Sequence, residues 1–70
     1  MTHGTITFEA NFNKNNERKP YGYKAGADGQ LFNSRRRWST AKALNDELRH
    51  LKTLWERNGW RVEVVFAEVN

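Results

Sequence analysis

Three consecutive arginines followed by a tryptophan, Arg35-Arg36-Arg37-Trp38, are the residues here whose types and spacing are best suited to chemistry. Guanidinium groups offer paired donors to phosphate or carboxylate oxygens and stack on flat rings. The run therefore suits recognition of an anion and not bond making. Lys14, Arg18, Lys19, Lys24 and Lys42 bring the basic side chains of residues 14–42 to eight, opposed only by Glu17 and Asp28. The formal net charge is +4. Its concentration in one block, between flanks that are neutral or slightly acidic, points to a polyanion-facing surface more than to general solubility. Tyr21 and Tyr23, at alternate positions, can supply stacking surfaces beside the cations.

The other reactive side chains do not form a constellation. His3 and His50 have no second histidine or carboxylate pair at metal-ligand spacing. Glu47 has no partner that would make it a general acid or base. There are no cysteines, which removes thiolate metal sites, cysteine nucleophiles and a disulfide framework together. Gly26 and Gly29 flank a turn and do not open a helix, so they are not a phosphate-binding loop. The expectation is a protein that is not an enzyme, with no metal and no cofactor.

Seventy residues suffice for a single small domain with a thin core. No apolar run approaches the roughly 20 residues of a membrane span. The start, Met1-Thr2-His3-Gly4, lacks the basic and apolar regions of a signal peptide. These features lead to an expected cytoplasmic location and no membrane partner.

Residues 5–12 alternate strictly, with Ile6, Phe8, Ala10 and Phe12 on one side, and predict a half-buried strand. Residues 13–20 form a polar loop closed by Pro20. Residues 21–25 predict a second strand, and Asp28-Gly29 marks a hairpin turn. The third strand is predicted over residues 30–38, with Arg35 and Arg37 projecting from one face. Ser39 or Thr40 can cap a helix that runs to about Asn58 and ends at Gly59. Its apolar stripe is Ala41, Leu44, Leu48, Leu51 and Trp55. The last strand is predicted over residues 60–69. Trp60, Val62, Val64 and Phe66 share its core face; Val65, Ala67 and Val69 share the other. That second strip needs a cover, either within the chain or in a homodimer. The fold class is α+β, in the order β-β-β-α-β. A small, mainly antiparallel sheet, with a possible spatial order 4-1-2-3, carries one helix on one face.

The run Tyr21-Gly22-Tyr23, Asp28-Gly29 and Arg35-Arg36-Arg37-Trp38-Ser39-Thr40 is similar to the N-terminal arm-binding module of tyrosine recombinases. In that family a three-stranded sheet enters the DNA major groove with a helix behind it. The resemblance implies DNA binding by the sheet face. It implies no recombinase activity, because the chain leaves no room for the catalytic domain, and a strand follows the helix where that family continues into a linker.

The function expected is a small non-catalytic nucleic-acid-binding accessory module. DNA is favoured over RNA, with Lys14, Arg18, Lys19, Tyr21, Tyr23, Lys24, Arg35, Arg36, Arg37, Trp38 and Lys42 at the contact. The alternative is a small inhibitor or adaptor that docks on a larger acidic protein. Its size is common among phage and mobile-element proteins, and an exposed Trp38 beside the arginines would be its anchor. Under a plainer reading the arginines only guard a sheet edge against pairing with other chains.

Overall fold

The structure is a computed structural model that describes residues 4–68. The chain forms β1 (Gly4–Phe12), β2 (Tyr21–Ala27), β3 (Gln30–Asn33), α1 (Ala41–Arg57) and β4 (Trp60–Val65). The sheet order is β3-β2-β1-β4, which is 4-1-2-3 read from the β4 edge. The sheet is mixed: β1 and β2 pair antiparallel, as do β2 and β3, whereas β4 runs parallel to β1. The parallel pair follows from the connection, since a helix between two strands returns the chain in its starting direction.

Alternation in β1 sets which face is buried. Ile6, Phe8 and Ala10 stand opposite Ala27, Ala25 and Tyr23 of β2, and Ile6 and Phe8 stand opposite Val62 and Val64 of β4. This face meets α1. Ile6, Phe8, Leu44, Leu48 and Val62 form the core, with Leu44 and Leu48 entirely buried. The opposite face carries Thr7, Glu9, Asn11 and Lys24 and has no covering element among the described residues, so polar residues suit it.

Helix boundaries follow local chemistry. The Thr40 hydroxyl accepts from the Ala43 N–H at 3.1 Å, the expected N-cap bond. At the other end Gly59 takes φ +91°, the left-handed conformation that lets the chain turn into β4. A polar residue sits inside the stripe. Asn45 is buried, its Nδ2 donating to the Ala67 carbonyl at 2.9 Å and its Oδ1 accepting from the Ala67 N–H at 2.8 Å. The side-chain amide thus takes the place of a neighbouring strand for that residue.

That contact coincides with two corrections to the sequence reading. β4 ends at Val65, not at residue 69, and the chain then leaves β1 for α1. Phe66 is consequently not on the core face; it is partly exposed, with the Arg49 guanidinium 5.7 Å from its ring centroid. The expected strip of Val65, Ala67 and Val69 is also broken. Val65 is exposed and Ala67 packs against the core, while Val69 lies outside the described residues.

A basic end with an aromatic rung

The third strand stops at Asn33, far short of Trp38. Continuing the Lys24–Asn33 pairing in register would bring Arg36 opposite Tyr21, but Trp38 stands there instead. Residues 34–37 therefore contain a two-residue excursion, and its hydrogen bonds show how it is held. The Ser34 N–H donates to the Tyr23 carbonyl at 2.7 Å, and the Ser34 hydroxyl donates to the Arg36 carbonyl at 2.8 Å. The Tyr23 N–H donates to the same hydroxyl at 3.2 Å. The ladder then resumes, with Trp38 N–H to Tyr21 carbonyl at 2.7 Å and Tyr21 N–H to Trp38 carbonyl at 3.0 Å. This overturns the expected strand face of arginines. Arg35 and Arg36 are instead thrown outward on an exposed excursion.

Arg37 has a structural task. Its Nε donates to the Lys19 carbonyl at 2.9 Å and its Nη2 to the Pro20 carbonyl at 2.6 Å. The guanidinium lies over Gly22, where a Cβ would come within 2.8 Å of Nη1. A glycine at position 22 leaves the room that this clamp occupies. Arg37 thereby ties the 34–37 excursion to the 13–20 loop.

The loop itself is shaped by asparagines. The Asn13 N–H donates to the Pro20 carbonyl at 2.8 Å and closes its neck. Asn13 Oδ1 accepts from the Asn15 N–H, and Asn16 Oδ1 accepts from the Lys19 N–H. Such local bonds from Asn side chains to the backbone define turns.

These connections bring Lys14, Arg18, Lys19, Arg35, Arg36 and Arg37 to one end of the sheet. Lys42 joins them, because the first turn of α1 follows directly from Trp38. Among the described residues none of these seven is ion-paired; the salt bridges are Arg49–Asp46 and Lys52–Glu56, both on α1. Lys24 does not belong to the group. It lies on the open face opposite Glu9, on the side of β2 away from Tyr21 and Tyr23.

The tyrosines face α1, not solvent on the open face. Tyr23 packs edge-on against Phe8 at 5.8 Å and tilted against Trp38 at 5.7 Å. Burial, followed by the Glu47 carboxylate, raises its phenol above the usual value, while Arg36 opposes the rise. Trp38 is half-buried and packs on the core, with the Arg36 guanidinium 5.6 Å from its centroid. It is thus no free anchor for a protein partner.

Two features escaped the sequence reading. Phe12, aligned with the buried positions of β1, is 61% exposed and meets Tyr21 edge-on at 5.1 Å. With Tyr21 paired to Trp38, one rung at the basic end is aromatic on three adjacent chain segments. Beside it, between this end of β1 and residues 66–68, lies a cleft of about 410 Å³. His50 lies exposed on the outer side of α1, and His3 lies outside the described residues. No helix among the described residues is long and apolar enough to cross a membrane.

No family model, curated protein or solved structure matches the chain, so the likeness to the recombinase arm-binding module has no support beyond the residues that carry it.

Proposed function

We propose that this chain is a small non-catalytic nucleic-acid-binding module that engages phosphates through its basic end. The observation that carries the reading is the gathering of Lys14, Arg18, Lys19, Arg35, Arg36 and Lys42, unpaired with any described carboxylate, on connected segments at one end. Unpaired cations at high local density bind polyanions by releasing their condensed counterions. The contact surface differs from the hairpin face drawn from sequence. Lys24 is separate from it, Arg37 is occupied with carbonyls, and the remaining cations sit on the 13–20 loop, the 34–37 excursion and the first turn of α1.

The test is fluorescence anisotropy with a labelled mixed-sequence DNA duplex over a range of salt concentrations. Affinity is expected to fall steeply with salt. Replacing Arg18, Lys19 and Arg35 with Gln should weaken binding and flatten the salt slope by roughly one unit for each phosphate left without its cation. All three are exposed, so the fold should survive. Absence of binding at low salt, or a variant that binds as the parent does, would overturn the reading.

A second reading, docking on an acidic protein, draws on β3. It is an edge strand, and Leu31 and Phe32 on it are exposed. Such an edge can accept a partner strand. It is favoured if Phe32→Ser removes a partner from pull-downs while the glutamine variant does not.

A further inference from the structure

We infer that the cleft beside Phe12 is a stacking site for an unpaired base, so that the basic end takes single-stranded DNA in preference to duplex. The inference rests on the nucleic-acid reading above and adds the strand state of the ligand.

Phe12 is the last residue of β1, and its ring leaves the β-sheet on the α1 side beyond the reach of the core. β4 stops opposite Glu9, so among the described residues no strand covers Ala10–Phe12 on that edge. The space left there is the cleft, walled by Ala10, Phe12, Tyr21, Phe66 and Ala67. Its volume, about 410 Å³, falls within the range of clefts that take small ligands. Asn45 keeps the far wall in place by holding Ala67 through both of its backbone groups.

Charge complementarity selects the occupant. The Phe12–Tyr21 rung is where the 13–20 loop begins and ends, so Lys14 and Lys19 flank it within two residues. The Arg37 clamp and the Trp38 bridge bring the arginine excursion to the same rung. An exposed ring among unpaired cations meets a base and its phosphate together, which is how proteins hold single strands. Duplex DNA keeps its base faces stacked inside and cannot offer one to Phe12. Glu68, the acidic side chain on the lining, restricts phosphate to the loop side of the cleft.

The experiment compares anisotropy titrations of a labelled oligothymidylate and a duplex, with heparin as a base-free polyanion. The parent protein should bind the single DNA strand several-fold tighter than the duplex. Phe12→Leu should weaken single-strand binding by about tenfold and leave heparin binding unchanged. Phe12→Trp should retain the affinity and show quenched emission on binding. If the leucine variant binds oligothymidylate as the parent does, or the duplex binds more tightly, the base-stacking site is overturned while the basic end stands. If heparin does not bind at all, both readings fall.

Discussion

Asn45 holds the chain beyond β4 to α1 with both halves of its amide, and it is buried while doing so. Removing it leaves the Ala67 N–H and carbonyl without their partners. Asn45→Ala should therefore cost about 1–3 kcal/mol, read as a lower urea midpoint. Asn45→Asp should be no better, because a carboxylate retains the acceptor but turns an oxygen toward the Ala67 carbonyl. Tyr23 offers a second residue-level test. Its phenol titrates above the usual value of about 10, through burial first and then the nearby Glu47 carboxylate. The folded state thus favours the protonated phenol. Its contribution to stability is complete below the unfolded value and is lost as pH rises through the raised, folded one. In a Tyr21→Phe background, ultraviolet titration of the remaining phenol should show ionisation later than in a free tyrosine. Glu47→Gln should bring that ionisation earlier, and Arg36→Gln should delay it. A titration insensitive to both would mean that burial alone sets the value.

At the scale of elements, β1 and α1 could be read directly, because each has a period, a cap or a stop that acts within a few residues. Ile6 and Phe8 alternate into the core, Thr40 caps α1, and Gly59 releases it. The elements that misled are those whose geometry depends on distant partners. Ser34 ends β3 through bonds to Tyr23 and Arg36, and nothing in the run of arginines announces a two-residue excursion. Asn45 looks like a polar interruption of the stripe, since its partner lies 22 residues away. Phe12 keeps the β1 alternation, yet among the described residues no element extends far enough to cover it. The candidate site was thus legible as a composition, the clustered cations, but not as a surface. The β2–β3 hairpin depends on another close approach. A Cβ at Gly26 would fall on the backbone carbonyl of Gln30, so any side chain must push β3 away. Gly26→Ala should destabilise the hairpin by about 1–3 kcal/mol, as overpacking does. Amide exchange at residues 30–33 should accelerate more than exchange at the centre of α1. Equal acceleration throughout would show that the hairpin and the core unfold as one unit.

Across the whole molecule, the charges are unevenly placed. The cations on α1 beyond its first turn include Arg49 and Lys52, and both are paired with carboxylates. Among the described residues the seven at the basic end have no such partners, and the net charge is +4. Like charges gathered on one end repel one another, and folding concentrates them more than the unfolded chain does. Mobile ions shorten that repulsion to about 8 Å at physiological ionic strength. Salt should therefore stabilise this protein, and the melting temperature should rise as sodium chloride is raised from a few millimolar to about 0.15 M. The dependence should follow the basic end and not the helix. Arg35→Glu, a reversal at an exposed position of the excursion, should raise the melting temperature in low salt and flatten the rise. A charge reversal at Arg49 would instead break its pair with Asp46 and lower it. A polyanion that occupies the same end should raise the melting temperature further, because it binds only the folded arrangement of cations. If salt has no effect in the parent and the Arg35 reversal changes nothing, the cations at this end are too far apart in solution to act as one surface. The same result would weaken the case for their meeting a single stretch of phosphates.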